Sequence, residues 1–171
     1  ADFQFDDRFR RSGLDIAPLM MPLARTRGVV SFPTNARTKC FSGLPGLIAD
    51  ALPDKFGSQL ITEWFAQQGK TEGMITPLDR LCYVGKRAMG ALEFVPAANV
   101  EGVNESTEIY IRELMALSDS IFKERSRFQE LIHQNDKSVL DILKVGTSAG
   151  GAKPKAIIAY KEETGEVRSG Q

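Results

Sequence analysis

Cysteine is scarce in this chain, with two in 171 residues, and histidine and tryptophan occur once each. Net charge is absent too, because 22 basic and 22 acidic residues cancel. Each scarcity excludes something. Cys40 and Cys82 allow at most one internal disulfide, which rules out a disulfide-stapled scaffold. Two thiols in a reducing compartment are the expectation, and the chain is assigned to the cytoplasm. Neither cysteine has partners at metal-ligand spacing, so no metal site is expected. Balanced charge argues against strong unspecific binding to nucleic acid. No stretch has the length and apolarity of a membrane span or of a secretory leader.

What is present is globular. Hydrophobic residues make up 42% of the chain, and this length buries one good core, giving one domain plus the start of another. Residues 2–5 read as a short strand, and residues 6–11 as a turn or short helix ended by Gly13. Arg8, Arg10 and Arg11 are offset locally by Asp2, Asp6 and Asp7, so they read as a solvated face. Residues 29–32 and 38–41 are strand candidates separated by a turn at 33–36. Residues 44–51 form a short apolar helical piece.

Asp54 is placed to cap a helix running to about Gln68, with Phe56, Leu60, Ile61, Trp64 and Phe65 at helical spacing. Trp64 is assigned to the core. Thr76 before Pro77 is an N-cap and first-turn pair, opening a helix whose Leu78, Leu81 and Cys82 face inward and which Gly85 ends. Residues 90–95 should form a strand that closes a mixed module over residues 1–99. The polar, turn-rich stretch 100–107 is the internal boundary. Beyond it, Ile109, Leu114, Leu117 and Ile121 recur on a helical period, as do Phe128, Leu131 and Ile132. Residues 137–144 form a last short helix.

That helix delivers the chain into VGTSAGGAKPKAIIA, residues 145–159. Gly146, Gly150 and Gly151 permit backbone angles closed to other residues, and the small side chains around them let main-chain amides approach a phosphate. A Walker loop is excluded by spacing, since Ala152 stands where lysine is required and Pro154 where a helix should begin. A dinucleotide fingerprint is excluded by Ser148 in the place of its second glycine. Pro154 pushes Lys153 towards extended geometry, and Ala156, Ile157, Ile158, Ala159 and Tyr160 favour a strand. A partner strand should begin near Val167, after a turn at 164–166. A glycine-rich turn leading into a strand is the arrangement that covers ATP phosphates in protein kinases. A tight turn that binds nothing fits the same pattern.

Three segments together narrow the choice. LPD at residues 52–54 opens a helix, VG at Val84 and Gly85 is followed by MGALEF at 89–94, and SAGGAKPK occupies 148–155. In order and separation these resemble the N-terminal part of the HipA family, serine/threonine kinases that act as toxins in bacterial toxin–antitoxin pairs. The resemblance covers nearly the whole chain. It implies an α+β fold: a mixed N-terminal module of short antiparallel strands and helices, then helices leading into the glycine-rich hairpin of a kinase-like N-lobe. The second segment, residues 100–171, would carry that loop at 145–155 and stop before the catalytic lobe.

The resemblance also assigns residues. Gly150, Gly151, Ala152 and Lys155 become candidate nucleotide contacts, and Ser148 occupies the place of the family's autophosphorylated serine. A loop hydroxyl that caps a local turn is the other reading of Ser148. A phosphate there adds about −1.5 to −2 charges inside a loop meant to hold phosphate, so repulsion would expel the loop or block ATP. ATP and Mg²⁺ are the implied cofactors, with no metal ligand in this chain. A protein substrate and a DNA-binding antitoxin are the implied partners. The base and the magnesium carboxylates of such a kinase come after the glycine-rich loop. The HQND at 133–136 comes before it and reads as a solvated helix end, so no catalytic residue is assigned and the chain alone is expected to be inactive. The alternative is a non-catalytic module that binds an antitoxin, a substrate or another copy of itself, with a vestigial loop.

Overall fold

The computed structural model describes residues 1–36, 39–88, 90–98, 108–112, 115–116, 141–142, 144 and 158–169. Contacts gather the chain into two units, Ala1–Leu52 and Pro53–Gln171, each of mixed α and β content.

In the first unit, β1 (Asp2–Phe3) pairs antiparallel with β2 (Val30–Ser31), placing Asp2 opposite Ser31 and Phe3 opposite Val30. The Ser31 hydroxyl donates to Asp2 Oδ1 at 2.6 Å across that pair. The strand is shorter than residues 2–5 because Phe5 turns into the core. There it is buried with Met21 and Leu23, and Phe3 and Phe9 pack on the cluster. The Phe5 and Phe9 rings stack at 5.5 Å. Helix α1 (Asp7–Ser12) begins because Asp6 accepts from the Arg8 and Phe9 amides, and it ends because Gly13 takes the left-handed conformation. Arg10 is not simply part of a solvated face. Its guanidinium donates to the Thr26 and Leu23 carbonyls, tying α1 to the following loop.

Among the described residues 39–41, the strand expected at 38–41 does not form. Lys39–Phe41 is a 3₁₀ turn, and Ser42 and Gly43 follow with φ of 54° and 71°. The chain reverses there instead of extending. A Cβ on Gly43 would lie 2.5 Å from Thr34 Oγ1, so the reversal needs glycine for space as well as for its backbone angle. The apolar piece that follows is helix α2 (Gly46–Ala49).

The second unit is built on helix α3 (Lys55–Gln67), whose Asp54 N-cap accepts from the Gly57 amide at 2.7 Å. Phe56, Leu60, Ile61 and Phe65 line its buried face, with Trp64 half-buried at the edge. Helix α4 (Pro77–Val84) packs Tyr83 and Val84 into the same core, which Ile75 and Ile142 complete. The Trp64 and Tyr83 rings meet edge to face at 4.9 Å. Leu81 is buried as expected and Cys82 half-buried, but Leu78 is 53% exposed. The inward stripe of α4 runs through Leu81 and Val84, near its C-terminal end.

Gly85 ends α4 with φ 57° and ψ −118°, and a 3₁₀ turn, Gly85–Arg87, follows. No strand forms among the described residues 90–98. Their amides are used elsewhere: Phe94 N–H donates to Gly85 O at 3.0 Å and Ala98 N–H to Cys82 O at 2.7 Å. The segment thus folds back on the end of α4, satisfying carbonyls that a helix terminus leaves open. Strand β3 (Ile158–Lys161) pairs antiparallel with β4 (Glu166–Ser169), Ile158 opposite Ser169 and Lys161 opposite Glu166. Gly165, at φ 69°, supplies the turn. Ile109 N–H donates to Val167 O at 2.9 Å beside this hairpin. The helices expected across 109–132 and 137–144, and the boundary at 100–107, fall largely or wholly outside the described residues.

Candidate functional site

Ser148, Gly150, Gly151, Ala152 and Lys155 lie outside the described residues, as does HQND at 133–136. What the structure gives is the chain directly after the glycine-rich segment. From Ile158 it is the extended, antiparallel hairpin expected there, with Tyr160 paired to Val167. Strand β3 is exposed along its whole length, whereas Ser169 at the end of β4 is buried.

The other motif residues are described in full. Pro53 and Asp54 of LPD open α3: Asp54 caps it, and the Pro53 carbonyl accepts from the Ser58 hydroxyl at 3.2 Å. Val84 is fully buried, and a Cβ on Gly85 would stand 3.0 Å from the Ala97 Cβ. These residues set the helix pair and its exit.

Against that pair lies a polar cleft of about 250 Å³, lined by Lys55, Ser58, Gln59, Thr62, Glu72 and Arg80. Arg80 donates from Nη1 to Ser58 O at 2.7 Å and from Nη2 to Thr62 Oγ1 at 3.0 Å. Thr62 Oγ1 in turn donates to Ser58 O at 2.8 Å. The three groups close a small ring that holds the guanidinium in one orientation. Burial lowers the Arg80 pKa, and the Glu72 carboxylate works against that shift. Sequence reading missed this cleft, because its bonds join residues 18 and 22 positions apart. The i, i+4 placement of Ser58 and Thr62 on one helix face was the available signal.

Beside the cleft, Lys70 Nζ pairs with Asp79 Oδ1 at 3.2 Å and lies 4.6 Å from the Phe65 ring centroid. Among the described residues, no group of three or more histidine, cysteine, aspartate or glutamate side chains is gathered to hold a metal. No described helix is long and apolar enough to cross a membrane.

A family model described as HipA N-terminal domain matches residues 1–95, out of 171. The chain belongs to the HipA N-terminal domain family. The match takes in LPD, the VG that ends α4 and the MGALEF segment, so the HipA-like region includes both the Asp54 cap and the Gly85 exit. It stops before the glycine-rich segment. No curated protein and no solved structure matches the chain.

Proposed function

We propose that this chain is the N-terminal portion of a HipA-like, ATP-dependent protein serine/threonine kinase toxin, carrying the phosphate-binding loop but not the transfer machinery. The observation that carries this reading is the HipA N-terminal match over residues 1–95 in the same chain as a glycine-rich segment that runs into the β3–β4 hairpin. In the proposal, the amides around Gly150, Gly151 and Ala152 cradle the phosphates of ATP and Lys155 adds a cation. Ser148 is the site at which phosphorylation shuts the loop by charge repulsion. Magnesium is held by carboxylates outside this chain. A protein substrate and a DNA-binding antitoxin are the proposed partners, and the cytoplasm the proposed compartment.

Incubating the 171-residue polypeptide with labelled ATP and magnesium tests the division of labour. No label is expected on Ser148 without an added kinase. Stoichiometric labelling would falsify the assignment of transfer chemistry to other residues.

A further inference from the structure

The guanidinium of Arg80 is half-buried, yet both of its hydrogen bonds among the described residues go to neutral groups, a carbonyl and a hydroxyl. It forms no ion pair among the described residues. Those contacts use two of its five N–H donors among the described residues. Its charged neighbour in the cleft, Glu72, acts on it through space and not through a bonded pair, and guanidinium geometry suits a carboxylate bound through two oxygens. Lys55 lines the same cleft and brings a second positive charge, while Glu72 brings one negative charge.

This asymmetry selects among ligands. A dianion such as phosphate meets Arg80 and Lys55 but is repelled by Glu72, and a simple cation meets the reverse. A molecule with a carboxylate at one end and an ammonium at the other satisfies all three groups. A volume of about 250 Å³ falls below the usual range for drug-sized ligands, roughly 300–1,000 Å³, so the occupant is small. The Ser58 hydroxyl is already engaged with Pro53 O, which leaves the Gln59 amide as the remaining neutral contact.

We propose that the cleft binds a small zwitterion of the α-amino acid type, its carboxylate on Arg80 and Lys55 and its ammonium facing Glu72. None of these residues lies in the glycine-rich segment, so the outcome is independent of the kinase reading.

The test titrates the full chain with L-alanine, with propionate, which lacks only the amine, and with inorganic phosphate, at ionic strength matched with sodium chloride. Calorimetry and amide chemical shifts follow binding. L-Alanine is expected to bind saturably and more tightly than propionate or phosphate. Glu72→Gln should weaken L-alanine by about tenfold while leaving propionate no weaker, and Lys55→Gln should weaken both by a similar factor. Both side chains are exposed, and a thermal melt of each variant confirms folding. Shifts that sodium chloride reproduces, the absence of saturable binding, propionate or phosphate binding as tightly as L-alanine, or variants that bind like the parent would each overturn the proposal.

Discussion

Thr76 and Asp79 cap each other at the start of α4. The Asp79 amide donates to Thr76 Oγ1 at 3.1 Å, and the Thr76 amide donates back to Asp79 Oδ2 at 2.9 Å. Two open donors of the helix terminus are thereby satisfied reciprocally. Thr76→Ala should cost about 1 kcal/mol, read from chemical denaturation. The Thr76 hydroxyl and then its amide lower the Asp79 pKa most, burial opposes them, and Lys70 adds a smaller lowering. A depressed carboxylate pKa stabilises the fold above the pKa of the unfolded chain, and that share is lost as pH falls through the folded value. Stability of the parent should therefore drop below about pH 4 more steeply than that of Asp79→Asn. Equal acid slopes would contradict the capping role.

Leu60 is fully buried at the centre of the core formed by α3 and α4. Leu60→Ala removes its contacts and leaves a cavity, so a loss of about 2–5 kcal/mol is expected in urea or guanidinium unfolding. The same replacement at Leu78, which is 53% exposed, should cost far less. Similar losses at the two positions would mean that the first turn of α4 is packed as the sequence suggests.

Tyr83 is buried, and its hydroxyl makes no hydrogen bond of good geometry among the described residues, although the Arg87 guanidinium lies 5.1 Å from its ring centroid. Burial pushes the phenol up to about 12, with the Arg87 guanidinium pulling the other way. A pKa raised on folding gives stability that is complete below the unfolded value near 10 and is lost as pH rises through about 12. Tyr83→Phe should remove that alkaline loss in denaturation measured between these limits. At neutral pH it should leave stability unchanged or higher, whereas deletion of a made hydrogen bond costs about 0.5–1.5 kcal/mol.

Gly85 combines φ 57° with ψ −118° and close approach to Ala97. Gly85→Ala places a Cβ where both backbone angle and space oppose it. A loss of more than about 1 kcal/mol is expected, measured as a lowered urea midpoint. An unchanged midpoint would show that the helix exit rearranges freely.

The parts of the fold legible in the sequence are those fixed by short-range chemistry. Asp6, Asp54 and the Thr76–Pro77 pair mark helix starts because a side-chain oxygen reaches amides two or three residues on. The 3.6-residue spacing of Phe56, Leu60 and Ile61 gives the buried face of α3. The hairpin after the glycine-rich segment is likewise readable from its apolar run and the turn at Gly165. Residues 38–41 and 90–95 have a composition that suits a strand, yet none forms among their described residues. What decides them is a reversal at Ser42 and Gly43 and the Phe94 and Ala98 amides donating to the end of α4. The cleft around Arg80 was invisible for a related reason: its defining bonds span two helices, and no local pattern records them.

The proposed reading of residues 145–155 as a kinase ATP loop is tested most directly by Gly151→Asp in the longer kinase that the proposal entails. Transfer of labelled phosphate from ATP to Ser148 is measured against the parent, with partner binding measured alongside. The substitution is expected to abolish labelling, since a carboxylate would enter the proposed phosphate cradle, while partner binding is unchanged. Labelling retained at the parental rate would contradict it and leave a partner-binding module with a vestigial loop.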